Sequence, residues 1–152
     1  MQDTPDNRRG RPETILAFDF GLRRIGVAVG QTVTSSANPL GVVANSASGP
    51  DFDAISRIIE EWRPTRLVVG MPMHADGQPG EMQAHVEQFV RDLWRYQLEV
   101  DTIDERYTSL EAEEALKKAR ASGSRGKISK EAIDSAAAVF IAERFLTWRT
   151  NE

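Results

Sequence analysis

Apolar positions along this chain follow two periods, and the switches between them predict where the backbone is extended and where it coils. From Thr14 to Gly30, Ile15-Leu16-Ala17-Phe18 leads into Asp19-Phe20-Gly21, after which Ile25, Val27 and Val29 occupy alternate positions. This pattern predicts two antiparallel strands joined by a short turn. A third short strand is expected around Leu40 to Ala44, ahead of the turn-forming stretch Asn45-Ser46-Ala47-Ser48-Gly49-Pro50. Asp51 then offers a helix N-cap. Phe52, Ile55, Ile59 and Trp62 recur at helical spacing until Pro64, which lacks the N–H that a helix interior needs.

Arg66-Leu67-Val68-Val69-Gly70 reads as a buried strand parallel to the first, and the Pro- and Gly-containing segment Met71 to Gly80 as a loop. Met82, Val86, Phe89, Val90 and Leu93 form one face of a long amphipathic helix, and another strand is expected from Leu98 to Ile103. Thr108 and Glu111 make a capping-box pattern, so a helix starts just after Asp104-Glu105-Arg106 and fades near Ala119. A basic, glycine-containing stretch follows, then a last helix from about Ser129 to Trp148. The order implies one α/β domain over residues 14–148, a five-stranded mixed sheet with helices on both faces. Residues 1–13, polar and of mixed charge, are expected to be a disordered tail.

Composition narrows the chemistry. A length of 152 residues suits a single hydrophobic core. No window approaches the ~20 apolar residues of a membrane span, and the N-terminus lacks the apolar core of a signal peptide, so a cytoplasmic protein is expected. With no cysteine, thiolate catalysis and Cys-based zinc sites are excluded, leaving oxygen ligands and two histidines. A net charge of −4 argues against indiscriminate polyanion binding. Even so, Lys117, Lys118, Arg120, Arg125, Lys127 and Lys130 follow one another with no acid among them, a local excess suited to phosphate contact or to a solvated loop.

Acidic residues stand where patterning alone does not call for them. Asp19 closes an otherwise apolar strand before Gly21, where it either caps a turn or faces a ligand. Asp104 and Glu105 close a second central strand, at the edge where parallel sheets place ligands; pairing with Arg106 is the plainer alternative. Asp134 falls inside the last helix, with Ala138, Ile141 and Phe145 at i+4, i+7 and i+11, a stripe expected to face the sheet; its nearness to the helix start gives a dipole-based alternative. Carboxylates gathered from these positions would repel one another unless a divalent cation neutralised them, and hard oxygen ligands suit Mg²⁺ or Mn²⁺. Two such ions about 3.5–4 Å apart support phosphodiester hydrolysis.

Four motifs occur in order: Asp19-Phe20-Gly21-Leu22-Arg23-Arg24-Ile25-Gly26-Val27-Ala28, then Val68-Val69-Gly70-Met71-Pro72 with Asp76-Gly77, then Asp104-Glu105-Arg106-Tyr107-Thr108-Ser109 leading into Glu111-Ala112, then Asp134-Ser135-Ala136-Ala137. Together they resemble the YqgF family, also called RuvX, over about Thr14 to Leu146. The resemblance implies a ribonuclease H-like fold, similar to RuvC-type Holliday-junction resolvases, and a nuclease that matures the 5′ end of 16S ribosomal RNA precursors. It implies that Asp19, Glu105 and Asp134 are the catalytic metal ligands, with Asp104 second in rank because strand register can exchange it with Glu105. Phe20 and Leu22 stand where Tyr and Thr are more frequent, and Tyr107 where Leu is usual. None of these changes removes a carboxylate.

Arg23, Arg24 and Lys127 are the expected nucleic-acid contacts. The segments Gly70-Met71-Pro72 and Gly77 to Gly80 are further candidates for bringing backbone N–H groups and a helix N-terminus to a phosphate, with a plain loop as the alternative, and His74 and His85 are candidates for a base or a ligand. Expected partners are precursor rRNA or branched DNA, and a ribosomal precursor particle, with the chain a monomer or a homodimer. Three alternatives stay open: a Holliday-junction resolvase, a catalytically silent RNA- or ribosome-binding module, and a nucleotide-binding ATPase. The last of these needs two lobes, whereas this chain has the length of one. Trp62, Trp94 and Trp148 are expected to pack on helix faces.

Overall fold

The structure, a computed structural model, describes residues 11–72, 81–104 and 130–150, with side chains of the last segment described over 135–149. Its first strands are β1 (Thr14–Asp19), β2 (Arg24–Gln31) and β3 (Ser36–Ser46), each antiparallel to the next. Two further strands, β5 (Arg66–Met71) and β6 (Glu99–Asp104), add in parallel on the other side of β1. The short β4 (Gly49–Pro50) pairs with the end of β3, giving the order β4-β3-β2-β1-β5-β6.

Among the described residues the sheet therefore has six strands where five are expected. The difference arises at Asn45 to Pro50, expected to be a plain turn. There β3 runs on to Ser46, and Ala47-Ser48 turns the chain back so that Asn45 and Ser46 pair with Pro50 and Gly49. Gly49 carries φ of 110°, a conformation that side-chain-bearing residues rarely adopt.

Strand alternation sorts the side chains of the sheet onto two faces. Leu16, Phe18, Val27, Val29, Leu67 and Val69 form one core with helices α1 (Phe52–Trp62) and α2 (Glu81–Leu93). The expected cap of α1 is present: the Asp51 carboxylate accepts a hydrogen bond from the Ala54 N–H at 3.1 Å, satisfying one of the unpaired donors of the first turn. Before Pro64, Arg63 takes a left-handed conformation and donates its N–H to the Ile59 carbonyl, ending α1. A single 3₁₀ turn, Trp94–Tyr96, follows α2 and leaves Trp94 exposed rather than packed on a helix face.

On the opposite face lies α3 (Lys130–Thr150), whose Ile141, Ala142, Phe145 and Leu146 bury themselves against Ile15, Ala17 and Val68. Burying a side chain such as Phe145 contributes roughly 1.5–3 kcal/mol. Trp148 packs only against the edge of this core, with its ring 5.7 Å from that of Phe145, and stays half exposed. The helix comes close because the facing strand is small: β2 presents Gly26, Ala28 and Gly30 opposite Asp19, Ala17 and Ile15. A Cβ on Gly30 would meet Ile15 at 3.1 Å and Leu146 at 3.4 Å.

An ion cluster fixes the end of α3 to the start of β1. Arg149 pairs with Glu13, whose other oxygen accepts from the Thr65 hydroxyl at 2.8 Å and lies 3.7 Å from Arg66. Arg66 also reaches Asp101 at 2.6 Å and Glu99 at 3.3 Å on β6. With its C-terminal end held there, α3 runs back so that its beginning lies toward the edge where β1, β5 and β6 end. Among the described residues no helix is long and apolar enough to cross a membrane.

Candidate active site

Asp19 is the last residue of β1, half-buried, on the face covered by α3. Its antiparallel partner on β2 is Gly26. On the parallel side, one residue beyond the pair Phe18–Val69, stand Asp19 and Gly70. Both strands next to the carboxylate thus carry glycine at its level, so no sheet side chain fills the space beside it. The small, buried Ser135, Ala137 and Ala138 line the sheet-facing side of early α3.

The second expected carboxylate group divides by register. Met71 pairs with Asp104 at the end of the β5–β6 ladder, which puts Asp104 at the same edge of the sheet as Asp19, two strands away or about 10 Å. The alternation separates them, however. Val100 packs with the α1–α2 core and Ile103 with the α3 core, so Asp104 shares the face of Val100, opposite to that of Asp19. Glu105 lies outside the described residues. The end of β6 is tied to α3, because Arg144 donates to the Asp104 carbonyl at 2.7 Å.

Position 134 belongs to the backbone of α3, on the stripe of the fully buried Ala138, Ile141 and Phe145, as its spacing predicts. The Asp134 side chain lies outside the description, as do Lys127, His74 and the capping box Thr108–Glu111. Among the described residues no group of three metal-ligating side chains forms, two of the expected carboxylates not being in that set.

The turn from Phe20 to Arg23 holds its shape through a close backbone approach. A Cβ on Gly21 would stand 2.6 Å from the Arg24 carbonyl oxygen, inside contact distance, so only glycine fits. Asn45 of β3 fastens the same turn: its Nδ2 donates to the Gly21 carbonyl at 2.8 Å, and its N–H donates to the Arg23 carbonyl at 3.0 Å. Arg23 is exposed and Arg24 half-buried at the root of β2. Asn45 was not singled out by its sequence, where it sits in a polar run that reads as a plain turn. Its role arises from a partner 24 positions away, which local pattern does not carry.

Comparison with known proteins places this arrangement. Residues 13–148 match the family described as RuvX, Holliday junction resolvase. A protein of Paraburkholderia xenovorans named "Putative pre-16S rRNA nuclease" is 44% identical over 138 residues, covering 90% of each chain. A protein of the same name from Xanthomonas oryzae pv. oryzae is 46% identical over 136 residues, 88% of this chain and 86% of its own. In fold, the chain is similar to Thermus thermophilus RuvC bound to a Holliday junction substrate, with a TM-score of 0.54 at 15% identity over 91% of this chain and 96% of that one. It is also similar to the fowlpox virus resolvase in complex with its junction DNA, with a TM-score of 0.53 at 9% identity over 90% and 98%. The architecture is that of RuvC-like, ribonuclease H-like proteins, and the chain belongs to the RuvX family.

Proposed function

We propose that this protein is a divalent-metal-dependent endonuclease of the cytoplasm that cleaves phosphodiesters in the 5′-end maturation of pre-16S rRNA. The relatives' name supports the reaction and substrate. The observation that carries the site is the carboxylate of Asp19, set at the carboxyl edge of the parallel strands with glycine beside it on both neighbouring strands. Continuing the alternation of β6 by one residue favours Glu105 over Asp104 as its partner, since odd-numbered β6 positions share the face of Asp19. The stripe of α3 that bears Asp134 covers that same face. Asp19, Glu105 and Asp134 would then hold Mg²⁺ or Mn²⁺, which supplies charge neutralisation and an activated water at the scissile phosphate.

The remaining work belongs to the chain itself. Arg23 and Arg24, presented by the turn that Gly21 and Asn45 fix, hold the phosphates flanking the scissile one. Lys127 adds charge from the basic segment. Incubating the purified protein with Mn²⁺ and either precursor 16S RNA or a four-way DNA junction tests the reading. RNA is cut, and Asp19→Asn cuts neither substrate while keeping the parent's circular dichroism and melting profile. Junction cleavage with intact RNA would favour the resolvase reading, which the family description and the fold similarity to resolvases support. That activity, cutting two strands symmetrically, calls for a homodimer, whereas trimming one RNA end needs only a monomer. If neither substrate is cut, the protein is a silent binding module, on RNA or on the ribosomal precursor particle.

A further inference from the structure

On the other side of the turn from Asp19 the surface holds a groove of about 570 Å³ that the carboxylate site does not use. Its walls are the Phe20–Arg23 turn, the β3–β4 hairpin from Asn45 to Pro50, and the His85–Asp92 side of α2. The geometry points to this groove as a subsite for one base of the substrate strand, next to the nucleotide whose phosphate is cut. The inference rests on the nuclease reading for its place in the reaction, and on the groove alone for its ligand.

Four features fit a nucleotide. The volume falls in the range of small-ligand sites, about 300–1,000 Å³. Phe20 is a half-buried ring backed by the buried Phe89 at 5.2 Å, which in turn meets Phe18 edge-on at 5.6 Å, so the aromatic floor is braced from below. Bases of any identity stack on such a ring. Arg23 is exposed at the rim, and among the described residues its guanidinium has no hydrogen-bond or ion-pair partner, which suits the backbone phosphate of the stacked nucleotide. Polar groups reach the base edge from two sides. Asn45, having donated to Gly21 and accepted from Ser46, retains one N–H and one lone pair. On the α2 wall Asp92 accepts from Gln88 at 3.0 Å and has further acceptor capacity for base N–H groups, while its charge disfavours a phosphate there. Charge therefore orients the nucleotide, phosphate toward Arg23 and base toward α2.

The groove also shares the turn with Asp19. Phe20 is the residue after Asp19, and by alternation the two side chains leave the strand on opposite faces, one to each site. A strand crossing the sheet edge would set a phosphate at one and a base at the other.

The test is an amide and side-chain NMR titration of the isotopically labelled, metal-free protein with adenosine or uridine 5′-monophosphate, with ribose 5-phosphate as the control. Both nucleotides shift the Asn45 side-chain resonances and the Gln88 and Phe89 amides, whereas ribose 5-phosphate moves only signals near Arg23. Ala47→Trp, a bulky group on the exposed lip of the groove, removes the base-dependent shifts while the rest of the spectrum is retained. Phe20→Leu, which keeps an apolar filler over Phe89, weakens nucleotide binding by about tenfold, as loss of one stacking partner should. Identical footprints for nucleotide and ribose 5-phosphate, unshifted groove signals, or unchanged binding by both variants would overturn the proposal. Because the titration needs neither metal nor cleavage, a nuclease that fails to cut and a groove that fails to bind are separate results.

Discussion

Asp19 and Gly26 face each other across the β1–β2 ladder, so the residue paired with the carboxylate carries no side chain where most antiparallel pairs place a second one. Four residues further along β2, Gly30 faces Ile15 under Leu146, where the absence of a side chain serves packing instead. The same residue type on the same strand face therefore stands beside a carboxylate at one position and beneath a packed side chain at the other.

These roles separate by substitution. Gly30→Val should cost roughly 1–3 kcal/mol of unfolding free energy through overpacking against Ile15 and Leu146. Gly26→Val should cost less stability than Gly30→Val and suppress cleavage by crowding Asp19. Equal destabilisation by both, with Gly26→Val still active, would mean that the space beside Asp19 is unimportant.

At the far edge, Glu13 joins Arg149 of α3 to Arg66 of β5, with only 9% of its side chain exposed and 12% of that of Arg149. The Arg66 Nε is buried and makes no hydrogen bond, so that guanidinium already depends on the surrounding carboxylates. Glu13→Gln should destabilise by about 3 kcal/mol, the cost of leaving a largely buried cation uncompensated. Adding Arg149→Met should recover part of this, a sign that the penalty comes from the stranded charge. An additive double-mutant cycle in urea denaturation would show the pair to be uncoupled.

The cap of α1 makes a simpler case. Replacing Asp51 by Ala removes its bond to the Ala54 N–H and should lower stability by ~1 kcal/mol with no effect on cleavage, since α1 packs away from Asp19. Thermal unfolding alongside a cleavage assay reads both.

How much of this was legible beforehand follows from the range over which each feature is determined. The Asp51 cap, the stop before Pro64 and the alternation of β1 and β2 depend on neighbours within a few residues, and they appear where local pattern puts them. The continuation of β3 to Ser46 and its pairing with Gly49 and Pro50 did not read as strand, because a run of small polar residues resembles a turn until a partner strand pairs with it. Asn45, Glu13 and Arg144 act on residues 24, 136 and 40 positions away, distances that periodicity does not span. For the site, the stripe carrying position 134 and the location of Asp19 at the strand end were legible from spacing. The flanking glycines were visible as residues, but their placement on either side of Asp19 needed the strand order.

The central claim, that Asp19, Glu105 and Asp134 share one divalent-ion site, is tested most directly by titrating Mn²⁺ into the apo-protein and following the free ion by electron paramagnetic resonance. The parent binds the ion, and Asp19→Asn, Glu105→Gln and Asp134→Asn each weaken that binding sharply, whereas Asp104→Asn, on the other face of β6, leaves it nearly unchanged. Parent-like binding by the Glu105 or Asp134 variant, or loss on changing Asp104 alone, would contradict the account.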